Sequence, residues 1–480
     1  MAVTSYAARP MARAQTLTQS KLALPVKLFI IAVVIPFAFS LGPIVMTGVR
    51  LILIAIIIPM MAKLFSGKYG RVLPTDILFF LHIVWAAMAL AVNNPEQVIQ
   101  NIGSTGIEFL GGYLLGRAYI RSCKEMIALL RFLVLVICCT LPLAMFEAVT
   151  GRPPIIEILQ KMPLIQGAPK TYSELRLGLN RVQMGYITPI HYGLFSMMGL
   201  SFCFVGLKDV WSTAQRWLLT FAVATCVLLS LSSGALLPML LQFFMIAWAM
   251  LFRDFNRRWL LLLGMFVLIY FLIDVLSSRT PYRVFMTYAT FSPGTAYWRA
   301  AINEFGMNNV WAHPIFGIGL NDWVRPVWMH TGSVDNFWLL MAMRYGIPGF
   351  VLIAAGYAIA LWKIGRRQLG EDQILLNLRR AWVFTFACLA FTLFTVHIWA
   401  EIYALVFFLL GAGAWLLSAA PSVEVIAAAT SLRAPISTTR FATAASAQAR
   451  PAFPETAIAG ATSNDQPNYT RFPPQSRSTP

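Results

Sequence analysis

The sequence predicts an all-α membrane protein, a polytopic bundle of about twelve spanning helices with one large external loop between the ninth and tenth. Three observations predict it. Of 480 residues, 58% are hydrophobic and 12% are charged, and the mean hydropathy of +0.69 is far above that of a soluble domain. The apolar runs are continuous over helix-length distances, whereas a membrane barrel needs short segments of alternating polarity. Lysine and arginine recur in the short connections expected on one side of the membrane, as the positive-inside rule requires.

Taken in order, residues 1–21 hold Arg9, Arg13 and Lys21 and read as a cytoplasmic segment. The apolar stretch that follows has no evident small-residue cleavage site and reads as a retained anchor. Spans are expected from Leu22 to Leu41, Ile44 to Leu64, Leu73 to Val92, Ile107 to Ile120, Met126 to Val149, Tyr186 to Leu207, Trp217 to Leu231, Ala235 to Phe252 and Trp259 to Val275. After the large loop come a span ending at Trp362, then Ala381 to Val396 and Ile402 to Leu417.

Length and charge settle two ambiguous stretches. As one helix, Trp217 to Phe252 would run about 54 Å, against a hydrocarbon core of about 30 Å. Basic residues flank both of its ends (Lys208, Arg216; Arg253, Arg257, Arg258), so the run crosses twice, turning at Ser232, Ser233 and Gly234. His397 and Glu401 divide the last apolar run in the same way.

This topology places the whole bundle within 22–418, with both termini in the cytoplasm, and leaves two long external segments, 150–185 and 277–336. In a bacterium the membrane is the inner membrane and those segments are periplasmic. The net charge of +18 is largely orientation charge on cytoplasmic loops, suited to anionic membrane lipids, and requires no nucleic acid. Five of the six cysteines fall in expected spans, so neither a disulfide framework nor metal-ligand spacing is indicated. Residues 419–480 turn to Ala, Ser, Thr and Pro and read as a disordered cytoplasmic tail.

Arg50, Asp76, Glu108, Arg131, Glu147, Asp274, His397 and Glu401 lie inside or at the ends of spans. A charge at a helix centre costs about 2.5 to 3.5 kcal/mol on insertion scales, so the central ones are expected to face the bundle interior and find partners. Asp76, two residues after Pro74, is expected to cap its helix. Glu108 and Arg117 are too far apart to pair along one helix, and either could pair across helices.

The densest set of ionisable residues is in the loop from Thr295 to Gly349, where Arg299, Glu304, His313, Asp322, Arg325, His330, Asp335 and Arg344 stand among five tryptophans, glycines and prolines. That composition suits a folded, partly membrane-seated unit that presents charges, not a tether. Arg176 and Arg181, just before a span, form a second candidate. Their guanidinium forks suit a phosphate and suit lipid headgroups equally well on residue chemistry alone. By the same standard Arg299, beside Tyr297 and Trp298, reads as a stacked interface anchor. His313 reads as a hydrogen-bonded loop histidine, and Asp335 as an N-cap of the helix beginning near Asn336.

The order Tyr297-Trp298-Arg299, HPIFGIGLNDW (313–323), Asp335-Asn336 before a leucine-rich helix start, and Tyr345-Gly346-Ile347-Pro348-Gly349 resembles the O-antigen ligase and polysaccharide polymerase superfamily, most of all its exopolysaccharide-polymerase branch. The resemblance implies a glycosyltransferase that polymerises polyprenyl-diphosphate-linked oligosaccharide units, with no metal and no cofactor because the bond energy lies in the diphosphate linkage. It implies diphosphate binding by Arg299 and by Arg176 and Arg181, which stand for an Arg-x-x-Gly-x-x-Arg-like element with altered spacing. Asp335, where the ligases have a histidine, becomes the first candidate base and His330 the second. Gly317, Gly319, Arg325, Asn336 and Arg344 become supporting loop residues, and proteins of chain-length control and export become expected partners. Ser232-Ser233-Gly234 lacks the arginine often found in that motif, which points away from the ligases. Two alternatives stand beside the polymerase: an O-antigen-type ligase acting on another acceptor, and a non-enzymatic flippase of the lipid-linked sugar, for which no inverted repeat is visible.

Overall fold

A proline sets the first departure from the expected spans. In this computed structural model, which describes residues 21–42, 44–171, 175–289 and 293–420, helix α1 (Leu24–Val34) stops short of the expected Leu41. Pro36 lacks an N–H and biases Ile35 away from helical backbone, and Ile35 sits at φ −114°, ψ 75°. The chain then forms a hairpin, β1 (Ala38–Leu41) and β2 (Ile44–Thr47), antiparallel with Ala38 opposite Thr47. The second span therefore starts at Gly48 instead of Ile44, as α2 (Gly48–Phe65), capped by the Thr47 hydroxyl accepting from the Arg50 N–H at 3.2 Å.

The rest of the described chain is helical. There follow α3 (Pro74–Asn93), α4 (98–119, carrying a π-turn at Ile107–Gly111), α5 (Cys123–Thr150), the short α6 (Pro154–Gln160), α7 (Pro189–Gly206), α8 (Thr213–Leu229), α9 (Ser233–Leu251) and α10 (Arg258–Leu276). Inside the large loop lie α11 (Pro281–Ala289) and α12 (Pro293–Ala312), and α13 (Phe337–Arg366), α14 (Gln373–Thr392) and α15 (Ala400–Leu417) complete the bundle. Among the described residues nine helices are long and apolar enough to cross a membrane. The shorter apolar α1 and α8 and the π-interrupted α4 occupy the three remaining expected spans. The protein is a polytopic helical membrane protein. Apart from residues 21, 419 and 420, the expected N-terminal segment and disordered tail lie outside the described residues.

Interior charges meet partners from other helices. Arg117 of α4 pairs with Asp76 of α3 at 3.3 Å, and Tyr113 donates to the same carboxylate at 2.5 Å. Arg50 of α2 pairs with Glu108 of α4 at 2.8 Å. Asp76 also accepts from the Leu73 N–H at 2.7 Å and so caps α3. Gly112 and Gly116 let α4 lie directly on the α15 backbone, where a side chain would collide with Ala404 and Phe408 carbonyls, the small-residue mode of membrane helix packing.

The two ends of the bundle differ. One carries basic connections held together by contacts such as Arg117 with the Tyr69 and Arg71 carbonyls. The other gathers the hairpin, the 150–188 segment, the α8–α9 turn, the large loop and the 393–399 turn. Ala38 bonds to Gln166, Val182 to Leu229, and Asn94 to Leu320 and Asn321.

The two glycine motifs of the loop interlock. Gly346, at φ 72° and ψ 177°, breaks α13 into two helical pieces. Into that break docks the 313–319 turn: Ile318 N–H donates to Met343 (2.8 Å), Gly319 N–H to Arg344 (3.1 Å), and Ile347 N–H to Pro314 (2.8 Å). A Cβ on Gly346 would collide with the Ile315 carbonyl, and one on Gly317 with the Met343 carbonyl. Gly346→Ala is accordingly expected to lower stability by about 1 to 3 kcal/mol, read as a lower unfolding temperature of the detergent-solubilised protein. An unchanged temperature would show that the break is dispensable.

Candidate functional site

The site is assembled from three separated pieces of sequence at the loop-bearing end. The first is the 150–188 segment. Glu147, near the end of α5, accepts from the backbone N–H of Gln183 (2.7 Å) and Met184 (3.0 Å), fixing the chain just after Arg181. Arg176 and Leu179 exchange backbone hydrogen bonds at 3.0 Å around a tight turn with Leu177 and Gly178 at positive φ. The Arg176 guanidinium donates to the Leu231 carbonyl at 2.8 Å, which ties this turn to the Ser230–Ser233 corner. Arg181 is half-buried with its Nε unpaired. Burial, then the neighbouring Arg176 charge, lowers its pKa to about 10.

Removing the Glu147 carboxylate strands two buried backbone donors. Glu147→Ala is expected to speed amide hydrogen exchange across residues 176–184, reflecting about 1 to 3 kcal/mol of lost local stability. Wild-type protection there would show that Glu147 does not hold the segment.

The second piece is α12. Arg299 is 6% exposed, and its Nε and Nη1 are buried without a hydrogen-bond partner. Its guanidinium faces the Gly234 corner, where Nη2 would lie 3.8 Å from a Cβ at that glycine. Burial lowers its pKa, opposed by the nearby Asp335 and Tyr282 and reinforced by Arg176. Arg176 thus lies within electrostatic reach of both Arg181 and Arg299. Tyr282 hydrogen-bonds to Asn336, and burial pushes its phenol up to about 12.

The third piece is the start of α13. Asn336, not Asp335, caps this helix, its side-chain oxygen accepting from the Leu339 N–H at 3.0 Å. That corrects the capping expectation for Asp335. The reason is register: the 393–396 turn holds Phe337 through its N–H, donated to the Leu393 and Val396 carbonyls, and this brings the helix start one residue later. Asp335 is half-buried and takes one hydrogen bond, from the Ser333 hydroxyl at 3.3 Å. Its carboxylate is not occupied by capping.

His330 is exposed in the same loop. Arg325 holds the loop in shape, donating to the Met329 carbonyl at 3.0 Å and to Asp322, and Gly317 and Gly319 form the turn already described. Arg344 lies within electrostatic reach of Tyr345, His397 and Tyr403.

Besides His397, three residues at or just before the start of α7 that the sequence does not single out carry buried polar atoms. Tyr186 Oη, Thr188 Oγ1 and Nδ1 of His397 are buried without hydrogen-bond partners, and His191 reaches the His397 backbone. The two histidines meet across Trp399, at centroid distances of 4.1 Å and 5.2 Å. Val396, next to His397, packs where Arg299 approaches Gly234. Native proteins leave few buried polar groups unsatisfied. Here Arg181 and Arg299 are among those left unsatisfied, and with Arg176 they give an environment of donors and positive charge suited to a multiply charged oxyanion. Asn93 and Asn94, which anchor the HPIFGIG turn to the end of α3, are likewise invisible to motif reading. Among the described residues no group of three or more His, Cys, Asp or Glu is placed to hold a metal.

Residues 218–354 match the family model described as O-antigen ligase. The match supports the O-antigen ligase and polymerase superfamily and, with the helical bundle, indicates a multi-pass membrane protein of the ligase or polymerase type of glycosyl transfer. It takes in Arg299, Asp335, Asn336 and both glycine motifs, and leaves Arg176 and Arg181 outside. No curated protein matches the chain.

Proposed function

We propose that this chain, carrying that family's domain, polymerises oligosaccharide units delivered on a polyprenyl diphosphate, at the periplasmic face of the bacterial inner membrane. The observation that carries the reading is Arg299: a buried guanidinium with two unpaired nitrogens, beside a second arginine and a carboxylate that does not cap α13. The carrier diphosphate takes up hydrogen bonds from Arg299, Arg176 and Arg181. Asp335 removes the proton from the acceptor hydroxyl, and that oxygen attacks the anomeric carbon as the bond from carbon to diphosphate oxygen breaks. The electron pair leaves on the diphosphate, whose charge the fixed guanidiniums already balance. Proteins of chain-length control and export would then act on the product.

The description of the matching family favours a second reading, transfer of the glycan to a different acceptor as in a ligase. One experiment separates the readings. Purified protein in liposomes is given polyprenyl-diphosphate-linked repeat units, with and without a candidate lipid acceptor. Longer glycans on the carrier support polymerisation, and glycans only on the second lipid support ligation. Movement of the units across the bilayer without a new glycosidic bond would replace both with transport.

A further inference from the structure

We infer that the groove between α11 and α12 is a saccharide-binding subsite that holds the glycan away from the reacting centre. The inference rests on the glycan-transfer reading for its class of ligand. The groove encloses about 420 Å³ and is walled by Arg279, Arg283, Tyr297, Glu304, Phe305 and Trp328, a volume within the range of small-molecule sites.

Its chemistry is that of sugar recognition. Tyr297 and Trp328 remain 63% and 41% exposed, and the Trp328 ring gathers Tyr297 at 5.8 Å and Phe305 at 6.1 Å. Open aromatic faces of this kind suit the C–H faces of sugar rings. Beside them Arg283 pairs with Glu304 at 2.7 Å, both side chains half-exposed. A pair so solvated adds little to stability. It does present donors and a carboxylate acceptor together, the combination that vicinal hydroxyls can bridge.

The groove is separate from the diphosphate site. At about 100° per residue, Tyr297, Ala300, Ala301 and Glu304 share one face of α12, while Arg299 points from the opposite face. A glycan bound there remains attached to the protein between additions. Loss of the contact should shorten the products without stopping the first transfer.

The test uses the full chain in phosphatidylcholine nanodiscs. The probe is carrier-free fragments of the host's own extracellular polysaccharide, titrated against tryptophan fluorescence. Wild type should bind saturably, and Glu304→Gln and Trp328→Phe should each bind roughly tenfold more weakly. Arg299→Met should bind as wild type does. Absence of binding to wild type, or equal binding by the Glu304 and Trp328 variants, would overturn the groove even if transfer is observed. Binding with these losses upholds the groove even if the transfer assay fails, so the two readings fall separately.

Discussion

Arg299→Met is expected to lower transfer by about 10²- to 10³-fold, the usual effect of removing one preorganised charge-stabilising donor, without lowering the unfolding temperature. The second half of that expectation is the unusual one. A buried arginine normally earns its place through an ion pair, and truncating one partner of such a pair destabilises the protein. Arg299 instead keeps Nε and Nη1 unpaired in a buried setting, next to Arg176. Asp335 nearby offsets part of the desolvation and Arg176 adds repulsion, yet two guanidinium nitrogens stay without hydrogen bonds, so the fold bears this cost for some other benefit. Methionine retains the packed stem and removes that burden. Arg299→Lys keeps the charge but not the planar fork and should recover only part of the rate. A clear fall in unfolding temperature with Arg299→Met would mean that the guanidinium holds the bundle together.

Asp335→Asn should lower the rate by about 10²- to 10⁴-fold, as expected for loss of a general base, again with the fold intact. The adjacent residue supplies the control. Asn336 accepts from Leu339 at the first turn of α13, so Asn336→Ala should reduce stability by about 1 kcal/mol, an effect that Asp335→Asn should not share. Paired measurements of rate and unfolding temperature therefore distinguish a base from a cap at neighbouring positions. His330→Ala, in the exposed loop, is the comparison for the second candidate base. If it removes activity while Asp335→Asn does not, the base is the histidine.

Much of the architecture was legible because lipid as solvent makes apolar runs diagnostic. The divided Trp217–Phe252 run appears as α8 and α9, and Glu108 and Arg117, too far apart to pair along one helix, pair across helices with Arg50 and Asp76. The family resemblance carried by the Thr295–Gly349 loop coincides with the matched segment. Its two glycine motifs turn out to be halves of one joint, closed by hydrogen bonds between Pro314 and Ile347 and between Ile318 and Met343. That relation depends on distances in space, which motif order does not encode.

The rest was hidden for physical reasons. The β1–β2 hairpin is apolar in composition, so hydropathy merged it with its flanking spans, although Pro36 and Gly42-Pro43 were there to interrupt them. Which of Asp335 and Asn336 caps α13 depends on where the 393–396 turn sets its start, a long-range constraint. His191 and His397 lie in apolar sequence far apart in the chain, and only packing around Trp399 brings them to one place.

The central claim, that these guanidiniums hold a carrier diphosphate while Asp335 acts on the acceptor, is tested most directly by equilibrium binding of polyprenyl diphosphate to purified wild-type, Arg299→Met and Asp335→Asn proteins. The account predicts that Asp335→Asn binds at least as tightly as wild type and that Arg299→Met binds at least about tenfold more weakly, the loss of one charge-assisted contact of roughly 1.5 to 3 kcal/mol. Equal affinity in wild type and Arg299→Met would contradict it.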